Sequence, residues 1–303
     1  MTLNVSELTA LRVQDPELIA QAAAQRRPPT SLLGEHGRLM VIAADHPARG
    51  ALGAGSQRAA MGDRGELLRR LYVALDNPGV NGVLGTSDII DDLLLLGALD
   101  GKVVIGSMNR GGLQGAAFEL DDRFTAYRAQ RIAAMGFQGG KMLLRIDLKD
   151  PDTAPTLEGC ARAVTELAAT GLMAMVEPFM SHRVDGSVRN ELTADAMVTA
   201  ISVASALGDT SAHTWLKVPV VDNMERAVAA TTLPCVVLGG EVSGDADAAY
   251  SSWERALGLP GVHGLVVGRS LLFPPDDDVA AAVAIAVGLC AATGPSGVAA
   301  DQR

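Results

Sequence analysis

Eight short runs of aliphatic and β-branched residues, separated by helix-like segments, constrain this chain more than any other feature. They are LMVIAAD (39–45), GVLG (82–85), VVIGS (103–107), GGKMLLRID (139–147), LMAMVEP (172–178), TWLKVP (214–219), PCVVLGG (234–240) and GLVVGR (264–269). Strand-like runs that alternate with helical stretches build a parallel sheet, because each parallel pairing needs a long crossover. The connecting segments carry helix punctuation. ELDDRFTAYRAQRIAAMG is expected to run as a helix from an Asp122 cap to a Gly136 stop. TLEGCARAVTELAATG should end at Gly171, and LTADAMVTAISVASALGD should begin at a Thr193 cap and stop at Gly208. Eight such units in 303 residues predict an α/β fold, a (β/α)8 barrel, with an open doubly wound sheet as the alternative. The barrel is placed at residues 38–293, with residues 1–37 as one or two extra helices covering its bottom and residues 294–303 as a frayed tail.

Charge narrows the partners. With 25 basic against 35 acidic residues the net charge is −10, which leaves no basic footprint for nucleic acid or an anionic membrane. An anionic small molecule fits if positive charge is concentrated locally. Cys160, Cys235 and Cys290 stand far apart in apolar surroundings without CxxC spacing, so they read as buried thiols in a reducing, cytoplasmic compartment. The start MTLNVSELTALRV lacks the pattern of a signal peptide. The run VAAAVAIAVGLCAATG follows PPDDD, which marks a capped terminal helix rather than a membrane span.

In a (β/α)8 barrel the reacting groups sit at the C-terminal ends of the strands. The unusual residues fall there: Asp45 and His46 after the first run, Lys141 and Arg145 in the fourth, Glu177 in the fifth, Lys217 in the sixth, Gly239 and Gly240 after the seventh, Gly268 and Arg269 after the eighth. Lys217 stands in TWLKVPVVDN, where Val220 and Val221 precede the first charge at Asp222, so a route for its ammonium to water is poor. A buried lysine either pairs or loses its proton, and the neutral amine is a nucleophile. Lys141 is either the cation of a buried ion pair with Asp45 or Glu177, or a second functional lysine whose charge helps keep Lys217 neutral. The period of two puts Lys141, Leu143 and Arg145 on one strand face, toward the barrel interior.

Glu177 and Asp45 are read as lysine partners or acid/base groups, and His46 as either a loop residue or a substrate ligand. A catalytic metal site wants about three His or carboxylate ligands, and only His46 and His182 fall near strand ends, so none is expected. The glycine pairs Gly239-Gly240 and Gly268-Arg269 suit a phosphate, with glycine backbone exposing N–H groups and Arg269 adding charge. Arg183 and Arg189 in SHRVDGSVRN offer another anion contact at the far end of a substrate. No cofactor motif occurs, since SMNRGGLQG matches no nucleotide fingerprint.

At these residues the sequence resembles the class I, Schiff-base aldolases of the barrel superfamily that includes deoxyribose-phosphate, tagatose-bisphosphate and archaeal-type fructose-bisphosphate aldolases. The resemblance runs over residues 38–275 and is carried by Asp45, by Lys141 in GGKMLLRID, by Glu177 in MVEPFM, by Lys217 in LKVPVV, and by Gly239-Gly240 and Gly268-Arg269. It departs from that pattern in KVP where relatives have KVxxP, in ADHP where they have LDHG or IDQR, and in lacking a tyrosine in the fifth strand. The look is closest to actinobacterial aldolase-like proteins found with inositol catabolism. The resemblance implies a cytoplasmic, metal-independent lyase, without cofactor and homo-oligomeric, acting on a phosphorylated ketose-type sugar or sugar acid. Within that class it implies cleavage of 6-phospho-5-dehydro-2-deoxygluconate to dihydroxyacetone phosphate and malonate semialdehyde. A sugar-phosphate binding barrel without catalysis, or lysine-dependent acyl transfer or isomerisation on the same fold, are the alternatives.

Overall fold

Nine strands form in chain order: β1 (Leu39–Ala43), β2 (Gly82–Gly85), β3 (Val103–Ser107), β4 (Gly139–Ile146), β5 (Met173–Val184), β6 (Ser187–Asn190), β7 (Thr214–Val218), β8 (Cys235–Leu238) and β9 (Val262–Val267). The computed structural model describes residues 5–240 and 245–294; the expected frayed tail beyond Gly294 and part of the loop after β8 lie outside them. Eight strands pair in parallel in the order β1-β2-β3-β4-β5-β7-β8-β9, and the β1–β9 and β4–β5 pairings close the ring. This is a (β/α)8 barrel and not an open sheet. The ninth strand, β6, is a short antiparallel return on the far end of β5, with Ser181 opposite Asn190.

The period of two explains how one sequence makes both a plug and a site. Inward residues of the lower barrel are apolar: Leu39, Val41 and Ala43 of β1, Val103 and Ile105 of β3, Met173 and Met175 of β5, Val236 of β8 and Val266 of β9 pack together, with Leu32 and Leu33 packed against them. Outward residues such as Met40, Ile42, Val104, Met142 and Leu144 join a second core beneath the helices. Continuing the inward alternation one step past the plug brings Asp45 after Ala43, Glu177 after Met175 and Lys217 after Trp215. The charged residues therefore surface at the same level of the barrel mouth, above a dry floor.

Helix starts follow the side chains that can cap them. Thr193 accepts from Ala196 N to open the helix Ala194–Ser205, and Asp278 accepts from Ala281 N to open Val279–Ala292. One expected helix is much shorter than its sequence suggests. The segment after β3 is helical only over Ala129–Ala134, and Asp122 caps nothing. Its carboxylate is fully buried and takes two hydrogen bonds from Arg145, at 2.8 Å each, while Asn109 and Phe124 form an isolated bridge that keeps the chain extended. A bidentate pair with arginine holds a carboxylate more strongly than an exposed cap does.

Before the barrel, two helices, Val5–Gln14 and Leu18–Gln25, run against its wall. Arg12 pairs with Asp92 at 2.7 Å, and Arg26 donates to Lys102 O and Gly136 O, both at 2.7 Å, just below β3 and β4. Among the described residues no helix is long and apolar enough to cross a membrane.

Candidate active site

At the C-terminal mouth of the barrel lies a cavity of about 390 Å³. Its floor is a chain of buried charges. Lys217 on β7 donates to Glu177 Oε1 on β5 at 2.6 Å. The other oxygen, Glu177 Oε2, pairs with Lys141 on β4, and Lys141 Nζ also donates to Asp45 Oδ2 at 3.3 Å. Ser107 Oγ at the end of β3 donates to the same Asp45 oxygen at 2.9 Å, and Arg110 Nη2 stands 3.0 Å from it. All four residues expected to carry chemistry, Lys217, Glu177, Lys141 and Asp45, thus form one connected network drawn from three strands and the loop that follows β1.

Electrostatics set the protonation of this network. Burial opposes ionisation of Glu177, but Lys141 and Lys217 outweigh it and hold its carboxyl well below the usual range. Burial likewise opposes ionisation of Asp45, and Arg110, then Lys141, His46 and Lys217, bring it well below normal. Burial, then the charge of Arg110, lowers Lys141 to about 8, against the pull of Asp45 and Glu177. A lysine with that value exchanges its proton near physiological pH, as a proton-transfer group must.

The remaining expected residues line the same cavity. Gly239 and Gly240 follow β8, with Gly240 at φ +70°, and Gly268 follows β9 next to Arg269. A side chain at Gly268 would bring its Cβ within 2.3 Å of Ala43 O, so this rim position requires glycine. Arg269 donates to Gly53 O at 3.3 Å, which ties the loop after β9 to the loop after β1. His46 lies with its Nδ1 3.9 Å from Asp45 Oδ1, and burial lowers its pKa to about 3 despite that carboxylate. Arg145 lines the cavity, but its guanidinium is engaged by Asp122 and by Glu119 at 3.4 Å. Arg189 on β6 reaches the lining too, whereas Arg183 turns outward to Asp150 at 3.3 Å.

Sequence reasoning missed Ser107, Arg110, Arg49 and Glu119. Ser107 ends the third run and could have been found by the rule that located Asp45. Arg110, Arg49 and Glu119 sit in loops, where no periodicity points inward. Among the described residues seven lysine or arginine side chains line the cavity against three carboxylates, so this lining attracts anions although the protein as a whole is acidic. Among the described residues no three His, Cys, Asp or Glu side chains gather as metal ligands.

Fold and site together define a (β/α)8 barrel with a lysine–carboxylate centre beneath an anion-attracting mouth. The chain belongs to the Cgl0159-like family, which matches residues 37–287. It is 53% identical to Cgl0159 from Corynebacterium glutamicum, whose crystal structure superposes with a TM-score of 0.92 over 94% of this chain and 96% of that one. An archaeal fructose 1,6-bisphosphate aldolase shares 16% identity at a TM-score of 0.64, covering 91% of this chain and 99% of that one. A structure of such an archaeal enzyme with the catalytic lysine covalently bound to the carbinolamine intermediate of its substrate gives 16% identity and 0.63, over 90% and 99%. At that identity the likeness is one of fold, shared with Schiff-base aldolases. No curated protein matches the chain.

Proposed function

We propose that the protein is a metal-independent class I aldolase that cleaves a phosphorylated ketose through a Schiff base on Lys217. The observation that supports this best is the pairing of Lys217 with Glu177 at 2.6 Å inside a cation-lined cavity whose rim is glycine. The choice of Lys217 over Lys141 follows from strand order. β7 adjoins β8, which ends in Gly239-Gly240, while β4 lies four strands from β9 in either direction round the ring. A phosphate held by Gly239, Gly268 and Arg269 brings the carbonyl one carbon away to the β7 side, next to Lys217.

The chemistry then uses groups already in contact. Glu177 holds Lys217 in place while its ammonium releases a proton to solvent, and the neutral amine attacks the carbonyl carbon to give a carbinolamine. Lys141 donates a proton as the carbinolamine hydroxyl leaves as water, and an iminium remains. Asp45 accepts the proton of the hydroxyl two carbons from the iminium as the carbon–carbon bond between them breaks. The bonding electron pair moves to the nitrogen, an aldehyde departs, and the enamine is protonated and hydrolysed to the second product. Binding of the remote phosphate aligns the breaking bond.

Within this class the motif resemblance favours 6-phospho-5-dehydro-2-deoxygluconate, cleaved to dihydroxyacetone phosphate and malonate semialdehyde. A cytoplasmic homo-oligomer is part of the same proposal. The test is borohydride reduction in the presence of dihydroxyacetone phosphate, which should leave one stable adduct on Lys217.

A further inference from the structure

The wall of the cavity at β3 holds a charge that the aldolase steps do not use. Arg110 lies three residues past β3, is only 5% exposed, and lines the cavity. Its Nη2 approaches Asp45 Oδ2, yet neither Nε nor Nη2 donates an aligned hydrogen bond among the described residues. A guanidinium carries five donors in a planar fork, and buried donors left unanswered are costly. Asp45 is not a sufficient answer, because the same oxygen already accepts from Ser107 and Lys141. Arg49, from the loop after β1, adds a second cation. Its Nε donates to Gly112 O at 3.1 Å, and its Nη2 stands 3.6 Å from Glu119 Oε1, beyond a hydrogen bond.

We infer that Arg110, backed by Arg49, is the residue that binds the carboxylate on the aldehyde half of the substrate, and so the specificity determinant by which the protein prefers a phosphorylated keto acid of the kind proposed above to a neutral or doubly phosphorylated ketose. This rests on the aldolase reading of the same site. The phosphate cradle is on β8 and β9, and β3 is three strands round the ring from β9, so an anion at Arg110 belongs to the opposite end of the substrate. Depth selects the kind of anion. Arg110 is 3.0 Å from Asp45, the acceptor proposed for the hydroxyl proton, so the group it binds sits only a few atoms from the bond that breaks. A planar carboxylate meets the guanidinium fork with two parallel hydrogen bonds. A phosphate dianion in that place would crowd Asp45 and Glu119. The carboxylate makes and breaks no bond, and the cleavage balances as described above.

The test is condensation of dihydroxyacetone phosphate with 3-oxopropanoate, glyceraldehyde or glyceraldehyde 3-phosphate, comparing kcat/KM for the native protein, Arg110→Met and Arg110→Lys. The preference for 3-oxopropanoate over glyceraldehyde should fall about 100-fold in Arg110→Met, and by less in Arg110→Lys, whatever loss both aldehydes share through Asp45. Circular dichroism checks that each variant is folded, and Arg110→Lys keeps a charge in place if methionine is not tolerated. Unchanged preference in both variants would reduce Arg110 to a support for Asp45 and overturn the inference. A native preference for glyceraldehyde 3-phosphate that is lost in the variants would overturn the choice of carboxylate. If borohydride traps no adduct of dihydroxyacetone phosphate on the native protein, the aldolase reading itself fails; if it traps one while the preference stays flat, only the carboxylate subsite fails.

Discussion

Lys217 and Glu177 face each other across neighbouring strands with Nζ 2.6 Å from Oε1, and the second carboxylate oxygen of Glu177 holds Lys141. One carboxylate thus sits between two ammonium groups, which is why its pKa is held down despite burial. Glu177→Gln should keep the shape and remove the charge. We expect kcat to fall by about 100-fold or more, since Lys217 then loses the carboxylate that holds its amine in place, and the fold to lose about 3–5 kcal/mol by leaving Lys217 without an anion and Lys141 with Asp45 alone. Steady-state kinetics and urea unfolding of the variant measure both.

Lys141 carries a pH signature. Its pKa, lowered to about 8 by burial and by Arg110, places loss of the ammonium near pH 8 instead of at the ordinary lysine value. If the ammonium is the acid that expels water from the carbinolamine, kcat declines as pH rises through about 8. Lys141→Met should abolish that alkaline limb and leave a slow, pH-independent formation of the Lys217 adduct. An unchanged limb in the variant would assign the titration to another group.

These charged positions were legible because they ride on strand periodicity. Once Val41 and Ala43, or Met173 and Met175, are read as inward residues, Asp45 and Glu177 must follow them into the mouth. The N-terminal caps at Thr193 and Asp278 were equally local and equally readable. What could not be read were choices made by distant partners. Asp122 looks like a helix cap until Arg145 is brought beside it from 23 residues away. Arg110 looks like a loop arginine until Asp45, just past the end of β1, is within 3.0 Å. The β6 return was missed because SHRVDGSVRN has polar alternation with no buried face, and its burial is indeed mostly exposed.

Phosphate recognition is tested at the rim. Arg269→Ala should raise KM for a phosphorylated ketose far more than for its dephosphorylated analogue, by about 10- to 100-fold. Gly268→Ala should do the same and also weaken the fold, because the new Cβ meets Ala43 O. Equal effects on both substrates would move the phosphate away from β8 and β9.

His46 should couple stability to mild acid. Its folded pKa is lowered to about 3 by burial, from an ordinary value of 6.5, so the unfolded chain binds a proton that the folded chain refuses. The contribution is present in full above pH 6.5 and is lost progressively as pH falls toward 3. Between pH 6.5 and 5, above the range where carboxylates titrate, the unfolding free energy should fall by at most about 1.4 kcal/mol per pH unit on account of His46. His46→Asn should flatten that slope, and His263, whose pKa burial also lowers, accounts for part of what is left. Urea midpoints at four pH values, for both proteins, give the comparison.

The central claim is that Lys217 forms the Schiff base. Borohydride reduction in the presence of dihydroxyacetone phosphate, followed by peptide mass analysis, is predicted to find one reduced triose phosphate per chain on the peptide containing LKVPVV. It should find none in Lys217→Met, a variant that keeps side-chain length and buries without an ammonium. An adduct on the peptide containing GGKMLL that persists in Lys217→Met would make Lys141 the nucleophile, and absence of any adduct on the native protein would contradict the account.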